Sequence, residues 1–272
     1  MIKIASFNVN SVKARLPRLL EWLKNTNPDI VCLQELKCVE SEFPFEAIFD
    51  AGYNAVVAGQ KTYNGVAILS KFKIEDVVKI LPALGEEQDE QARYIEAVIA
   101  TKTSALRVAS IYVPNGGSDL AFGESLEDSK KFRYKIDFYK RLQAHLASLR
   151  DYDEMQIFGG DFNVAIEEVD LYDPKTFANQ ILFHPIERQN FRHLLNLGLA
   201  DSYRALHQRQ QGFSWFDYRG GAWQHNKGCR IDYLLASPKA ADKISAAGID
   251  DRGVRDQEKA SDHCPVWLEL DV

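Results

Sequence analysis

The chain has 272 residues, of which 46% are hydrophobic and 26% are charged, and its formal net charge is -6. This composition supports a large buried core, and the negative charge argues against a protein that coats nucleic acid indiscriminately, because such binding depends on neutralising phosphates. The apolar runs are too short to span a bilayer and no leader-like segment precedes the first one, so we expect a soluble, cytoplasmic protein folded as one domain over residues 1–272.

The four cysteines, Cys32, Cys38, Cys229 and Cys264, are scattered without a C-x-x-C pair. Neither a zinc site nor a disulfide framework is therefore predicted, and a reducing compartment fits best. An enzyme that acts on nucleic acid stays possible, since a local basic rim can dock a phosphate backbone on an acidic protein. The candidate rim residues are Lys61, Arg93, Lys130, Lys131, Arg133, Arg219, Lys227 and Arg230.

Short apolar runs predict strands along the whole chain, at residues 2–7, 30–33, 66–69, 93–100, 106–113, 155–158, 213–218, 231–236 and 265–270. Helical spacing of leucines between residues 16 and 23 predicts a first helix, and two more are predicted over residues 130–149 and 187–197. Residues 168–186 carry no periodic signal. Strands alternate with helices early and late but follow one another between residues 66 and 113, which indicates an α/β domain with mixed sheets.

Several predicted strands end in polar residues that a simple core strand would not need, namely Asn8, Glu35, Tyr112, Asn115, Asp161 and Asn163. Strand ends that converge on one edge of a sheet form the usual ligand crevice of an α/β protein. Asp161 and Asn163 lie two residues apart after an apolar strand, so an extended backbone would place both on one face, where they could activate and orient a water. Each residue also has a simpler explanation: an Asp-x-Asn triplet is often a turn, and Glu35 could pair with Lys37.

Asp232 lies within the predicted strand 231–236, where a carboxylate needs a cationic or hydrogen-bonding partner. His263, in the sequence Ser261-Asp262-His263, is a plausible partner. A carboxylate would hold the imidazole in one tautomer, and a protonated imidazole can stabilise the negative charge that develops on a phosphate. An Asp-His pair before a strand could also be a simple cap or turn.

Taken in order, these segments resemble the motifs of the exonuclease III family of abasic-site endonucleases, within the DNase I-like superfamily. The matching segments are Ser6-Phe7-Asn8-Val9-Asn10, Leu33-Gln34-Glu35, Gly65-Val66-Ala67-Ile68-Leu69, Tyr112-Val113-Pro114-Asn115, Gly160-Asp161-Phe162-Asn163, Arg230-Ile231-Asp232-Tyr233 and Ser261-Asp262-His263. The resemblance covers essentially the whole chain. It implies a four-layered α/β sandwich, two mixed sheets packed face to face between helices.

The resemblance also implies hydrolysis of the phosphodiester 5′ of an abasic site in duplex DNA, in base excision repair, with 3′–5′ exonuclease or 3′-end-cleaning activity. It implies Mg²⁺ or Mn²⁺ as cofactor and a monomer that binds DNA carrying abasic sites or 3′ ends and no membrane. The implied metal-site residues are Asn8, Glu35, Asp161, Asn163, Asp262 and His263. The implied catalytic residues are Tyr112, Asp161, Asn163, Asp232 and His263. The implied substrate-binding residues are Asn115, Trp215, Ile231, Lys61 and Arg93.

Two departures from the family pattern bear on activity. Cys229 stands where some members have a large aromatic residue, which predicts a more open pocket, and Asn10 stands where some have aspartate, which weakens the case for a second metal. Two alternatives stay open. Inositol-phosphate phosphatases and phospholipases of the same superfamily share the polar set, although the stretch Phe213 to Tyr218 favours the DNA branch. A nonenzymatic DNA-binding relative should have lost part of that set, which is complete here.

Overall fold

The computed structural model describes residues 1–85, 88–101, 104–117, 125–251 and 253–272. The strands in these ranges are β1 (Ile2–Asn8), β2 (Ile30–Gln34), β3 (Asn54–Ala58), β4 (Val66–Ser70), β5 (Lys73–Val78), β6 (Tyr94–Ala100), β7 (Ala105–Tyr112), β8 (Met155–Asp161), β9 (Ala200–Asp201), β10 (Asp232–Ala236), β11 (Ile244–Ile249) and β12 (Val266–Leu270). The α-helices are α1 (Val12–Thr26), α2 (Phe45–Asp50), α3 (Lys130–Leu149), α4 (Pro174–Phe177), α5 (Pro185–Leu195), α6 (Ser202–Leu206) and α7 (Pro238–Ala241).

The described strands form two six-stranded sheets, in the orders β11-β12-β1-β2-β4-β3 and β5-β6-β7-β8-β10-β9. Most neighbouring strands are antiparallel, but β1 runs parallel to β2 in the first sheet and β7 runs parallel to β8 in the second. Each of these parallel pairs is connected through a helix, as a parallel pair requires. Both sheets are therefore mixed, as the order of the predicted elements indicated.

Three apolar layers hold the sheets and helices together. The side chains between the sheets come from alternate strand positions, such as Ile4, Ile68 and Ile157. The other face of the first sheet packs on α1 through residues such as Trp22, and the other face of the second sheet packs on α3 and α5 through residues such as Phe138. The expected four-layered α/β sandwich is confirmed.

The two sheets lie close together at the end of β8. An added Cβ at Gly159 would lie 2.8 Å from Leu234 Cδ2 and 3.2 Å from Cys32 Sγ, and one at Gly160 would lie 2.0 Å from the carbonyl oxygen of Ile111. The two glycines thus let the end of β8 lie close against both its own sheet and the facing one. That end carries Asp161.

One predicted strand is wrong. Residues 213–218 form a loop with isolated bridges from Trp215 to Cys229 and His263, and the apolar pattern there arises because Phe213 and Phe216 pack into a small separate core. No sequence pattern predicted β3, β5 and β11, which lie at sheet edges and have few fully buried side chains. Residues 168–186 contain α4 and a 3₁₀ turn at Glu168–Asp170. Within the described ranges, no helix is long and apolar enough to cross a membrane.

Candidate active site

The parallel strands of both sheets end at one edge of the sandwich. Asn8 at the end of β1 is paired with Gln34 at the end of β2, and Tyr112 at the end of β7 is paired with Asp161 at the end of β8. The antiparallel strand β10 begins opposite Asp161, at Asp232. The polar residues that follow the predicted strands therefore do meet, as expected, and the face-to-face packing brings the two sheets' sets together.

Asn8 links the two sheets at this edge. Its Nδ2 donates to Glu35 Oε1 and to Asp161 Oδ2, at 2.9 Å each, and its Oδ1 accepts the backbone N–H of Asn10 at 3.0 Å. The amide thus presents an N–H group, and not an oxygen, to the two carboxylates. Its position fixes the carboxylates relative to each other.

Asp161 is fully buried and oriented by its own chain. Its Oδ1 accepts the backbone N–H of Asn163 at 2.9 Å, which the left-handed φ of 50° at Asn163 makes possible. The side chain of Asn163 donates to the carbonyl oxygen of Val113 at 2.9 Å and accepts from Asn115 Nδ2 at 3.2 Å. Asn163 therefore fixes Asp161 and connects it to the segment that follows β7.

His263 and Asp232 form the buried pair expected from the sequence. His263 Nδ1 lies 2.9 Å from Asp232 Oδ2, and His263 Nε2 lies 3.7 Å from Asp161 Oδ2. Ser214 donates its hydroxyl to Asp232 Oδ2 at 2.6 Å. Asp232 thus binds Nδ1 of the imidazole and leaves Nε2 directed at the carboxylate of Asp161.

Burial and neighbouring charges shift the pKa values of Asp161 and His263. Burial, reinforced by the negative charge of Asp232, raises the pKa of Asp161, and the positive charge of His263 offsets only part of that effect. Burial by itself would lower the pKa of His263, but the charges of Asp232 and Asp161 outweigh it and raise the pKa. The site therefore favours a protonated imidazole between two aspartates.

Glu35 follows β2 in a left-handed conformation, with φ 53°. Its Oε2 lies 2.9 Å from Lys37 Nζ, so the simple ion pair considered from the sequence does form. Burial alone would raise the pKa of Glu35, but the ammonium of Lys37 and the hydrogen bond from Asn8 hold it below its ordinary value. Tyr112 lies beside Glu35 and Asp161, and its burial, together with those two charges, raises the pKa of its phenol well above the ordinary value.

Asp262 and Trp215 lie at the margin of the site. Trp215 Nε1 donates to Asp262 Oδ2 at 3.1 Å, and Asn10 Nδ2 donates to Asp262 Oδ1 at 2.8 Å. Ile231 is 2% exposed and belongs to an apolar cluster with Cys229, against which Trp215 packs. Of the predicted pocket residues, Trp215 is therefore partly exposed, and Ile231 is buried in the cluster on which Trp215 packs.

The predicted basic contacts divide into three cases. Arg93 lies with its guanidinium carbon 4.7 Å from the centre of the Tyr112 ring, directly beside the site. Lys61 is exposed on the loop between β3 and β4. This loop forms backbone hydrogen bonds with the residues that follow Glu35. Arg230, in contrast, is 1% exposed and paired with Asp170 and Asp201, so its assignment to a basic rim is wrong.

Several residues of the site were missed from the sequence. Ser261 donates to the carbonyl oxygen of Asn8 at 2.7 Å, and Gln34 Nε2 donates to Ser6 at 3.1 Å and to Ser110 at 2.9 Å between the sheets. Each lies one or two residues from a predicted site residue, but that spacing has no chemical signature of its own. Their partners come from distant parts of the chain.

The donor set fits a divalent cation. Among the described residues, Glu35, Asp161 and His263 each offer a ligand atom, and these atoms all lie within 4.8 Å of one another. Hard carboxylate oxygens suit Mg²⁺ or Mn²⁺, and a cation there would offset both the burial of the Asp161 carboxylate and the nearby negative charges, which together raise the pKa of Asp161. Asp262 does not belong to this group.

Comparison with known proteins agrees with the fold. The profile of the Endonuclease/Exonuclease/phosphatase family matches residues 5–263. The chain is 34% identical to an exodeoxyribonuclease III of Haemophilus influenzae, over 99% of this chain and 100% of that protein. It is 32% identical to the DNA repair nuclease APEX1 of Danio rerio, over 100% of this chain and 83% of that protein.

Solved structures give the same result at the level of the fold. An AP endonuclease from Archaeoglobus fulgidus superimposes with a TM-score of 0.91 at 37% identity, and a 3′ phosphatase, NExo, from Neisseria, solved with a product DNA hairpin, superimposes with a TM-score of 0.90 at 38% identity. Both matches cover 100% of each chain. The chain therefore belongs to the Endonuclease/Exonuclease/phosphatase family and, within it, to the exonuclease III branch of DNA-repair nucleases.

Proposed function

We propose that this nuclease hydrolyses the phosphodiester on the 5′ side of an abasic site in duplex DNA and also processes 3′ ends. The observation that carries the proposal is the convergence of Asn8, Glu35, Asp161, Asp232 and His263 at one edge of the sandwich. The related proteins of known structure, an AP endonuclease and a 3′ phosphatase, support these two activities.

In the proposed reaction, Asp161 accepts a proton from a water that attacks the phosphate in line. As the new P–O bond forms, the bond from phosphorus to the 3′ oxygen of the preceding nucleotide breaks, and that oxygen takes a proton from solvent to leave as a 3′ hydroxyl. A raised pKa suits this role, because a base whose pKa lies nearer to neutrality takes the proton more readily. Asn163 keeps Asp161 in place through the 2.9 Å backbone hydrogen bond. His263, protonated and held by Asp232, stabilises the charge that develops on the phosphate.

Glu35 and Asp161 are the residues that would hold Mg²⁺ or Mn²⁺, with Asn8 and Asn163 orienting them and Asp262 outside them. His263 lies in the same group, but its protonated imidazole has no lone pair for a cation and acts on the phosphate instead. When bound, such a cation supplies Lewis-acid stabilisation of the phosphate's negative charge. Tyr112 and Asn115 are positioned beside that phosphate.

Duplex DNA would lie across this edge of the sandwich. Arg93 and Lys61 are the proposed contacts to the backbone, and Trp215, supported by Ile231, is the proposed wall of the abasic pocket. Extruding an abasic sugar needs no base to be unstacked, and this favours the lesion over an intact nucleotide.

We also propose that the protein is a cytoplasmic monomer and that residues 1–272 act as one domain. The pairing of β1 with β12 supports a single domain, since it joins the two ends of the described chain. The four free, buried cysteines support a reducing compartment.

The test is a gel assay of the purified protein with Mg²⁺ on two end-labelled duplexes, one with a single abasic-site analogue and one with a recessed 3′ end. A cut at the lesion supports the endonuclease, and a ladder from the recessed end supports exonuclease activity. Both should vanish with EDTA and return with added Mg²⁺. Cleavage of neither duplex, with hydrolysis of an inositol phosphate instead, would refute the proposal.

A further inference from the structure

A chain of side-chain hydrogen bonds connects Trp215 to Glu35. Trp215 Nε1 donates to Asp262 at 3.1 Å, Asn10 Nδ2 donates to the other oxygen of Asp262 at 2.8 Å, and Lys37 Nζ donates to Asn10 Oδ1 and lies 2.9 Å from Glu35 Oε2. Trp215 belongs to the proposed wall of the abasic pocket, and Glu35 is one of the residues proposed to hold the cation.

The order of donors and acceptors in this chain is fixed. Lys37 can only donate, so Asn10 must present its oxygen to Lys37 and its N–H group to Asp262. Trp215 can only donate, so it takes the second oxygen of Asp262. An aspartate at position 10 would instead place a carboxylate against Asp262, so asparagine is what allows the chain to form without further charge compensation.

The same hydrogen bonds engage both carboxylate oxygens of Asp262. Each accepts one side-chain N–H group, at 2.8 and 3.1 Å. Asp262 also stands outside the described group of Glu35, Asp161 and His263, whose ligand atoms lie within 4.8 Å of one another. Asp262 therefore connects Asn10 to Trp215 and lies apart from that group.

We propose that Asp262, Asn10 and Lys37 form a positioning relay that holds Glu35 in its cation-binding orientation and fixes that orientation to the position of Trp215. The relay rests on the proposed function, since it assigns Glu35 to the cation and Trp215 to the pocket wall. Lys37 is a positioning residue in this relay, because it reaches the proposed cation only through Glu35. Ordering of the pocket wall and binding of the cation thereby support each other.

The test measures Mg²⁺ binding to the metal-free protein by calorimetry, without DNA and without turnover. Trp215→Phe keeps an aromatic ring but removes the N–H donor to Asp262. The relay predicts that Mg²⁺ binds about fivefold more weakly, or worse, to this variant. If Asp262 were an ordinary ligand, freeing one of its oxygens would leave Mg²⁺ binding unchanged or tighten it, and either result would overturn the relay.

A matched control is available at Trp223, whose Nε1 donates to Asp256 at 2.7 Å on the exposed surface. Trp223→Phe removes the same type of donor from the same type of acceptor, and we expect it to bind Mg²⁺ like the wild type. An equal loss of Mg²⁺ affinity in Trp223→Phe would mean that the effect is not specific to the relay, and would also overturn it.

A second variant covers the case in which Trp215→Phe folds poorly. Asn10→Gly suits the left-handed φ of 44° at this position and removes both central hydrogen bonds, so it should weaken Mg²⁺ binding at least as much. Because the bonds act in series, adding Trp215→Phe to Asn10→Gly should cause no further loss, whereas multiplied losses would contradict the relay.

The two levels of the proposal fail separately. Incision of abasic duplex by the wild type, with equal Mg²⁺ affinities in wild type and Trp215→Phe, keeps the proposed function and overturns the relay. Weaker Mg²⁺ binding by Trp215→Phe in a protein that cleaves no abasic duplex supports the linkage to Glu35 and overturns the proposed function.

Discussion

Replacement of Asp161 by asparagine separates its chemical role from its structural one. The carboxylate accepts two N–H groups at 2.9 Å, from Asn8 and from the backbone of Asn163. An asparagine has only one side-chain oxygen, so one of these bonds is lost, at a cost of about 1 kcal/mol. Removing a negative charge that is buried and that faces Asp232 offsets part of this cost, although the attraction of that charge to His263 is lost as well.

We therefore expect Asp161→Asn to change the free energy of unfolding by less than about 2 kcal/mol, while the loss of a general base lowers the incision rate by about 10²- to 10⁴-fold. Urea denaturation measures the first effect, and single-turnover incision of a labelled abasic duplex measures the second. Affinity for the duplex, measured in EDTA, should stay near the wild-type value because the base acts mainly in the transition state.

The control is Asp153→Asn, since Asp153 is an exposed aspartate paired with Lys239 on the surface. It should leave incision and duplex binding unchanged. Affinity and rate that fall by the same factor in Asp161→Asn would refute the assignment, because the carboxylate would then be placing the substrate and not accepting a proton.

Three further predictions concern the supporting structure. Asp232→Asn should lower the incision rate by about 10- to 100-fold, with smaller effects on duplex binding, because His263 loses the carboxylate that orients it. Asp170→Asn should lower the free energy of unfolding in urea by about 3–5 kcal/mol, since it removes one of the two carboxylates paired with the buried guanidinium of Arg230 and also removes the partner of Arg204. Burial alone would raise the pKa of Asp170, but the charge of Arg230, together with weaker interactions, holds the pKa below its ordinary value. The stabilisation from Asp170 is therefore present above the unfolded-state pKa and is lost as the pH falls through the folded-state pKa. Urea midpoints measured down the acid range should show this loss in the wild type and not in Asp170→Asn. Gly159→Ala should cost about 1–3 kcal/mol, since its Cβ would lie 2.8 Å from a leucine side chain between the sheets, and an unchanged urea midpoint would contradict that packing.

The local order of the elements was available from the sequence. Helical spacing predicted α1 and α3, and strand patterns predicted the central strands β1, β2, β4, β6, β7 and β8, because their buried faces repeat with a fixed period. Polar residues after apolar strands pointed to one edge of the sheet, and motif order pointed to the family. These signals depend only on residues that are close in sequence or on the order of motifs, so they can be read without knowledge of the fold.

The contacts that give those residues their chemistry were decided by the tertiary structure. Asn8 and Asp161 are separated by 153 positions, yet the packing of the two sheets brings them within 2.9 Å. Arg230 is likewise buried in ion pairs with Asp170 and Asp201, which are distant in sequence, although it was predicted to lie on a basic rim. The tertiary structure also places Asn10, Asp262 and Trp215 in one hydrogen-bonded chain, because the hydrogen-bond partner of a side chain depends on distances across the fold and not on spacing along the sequence.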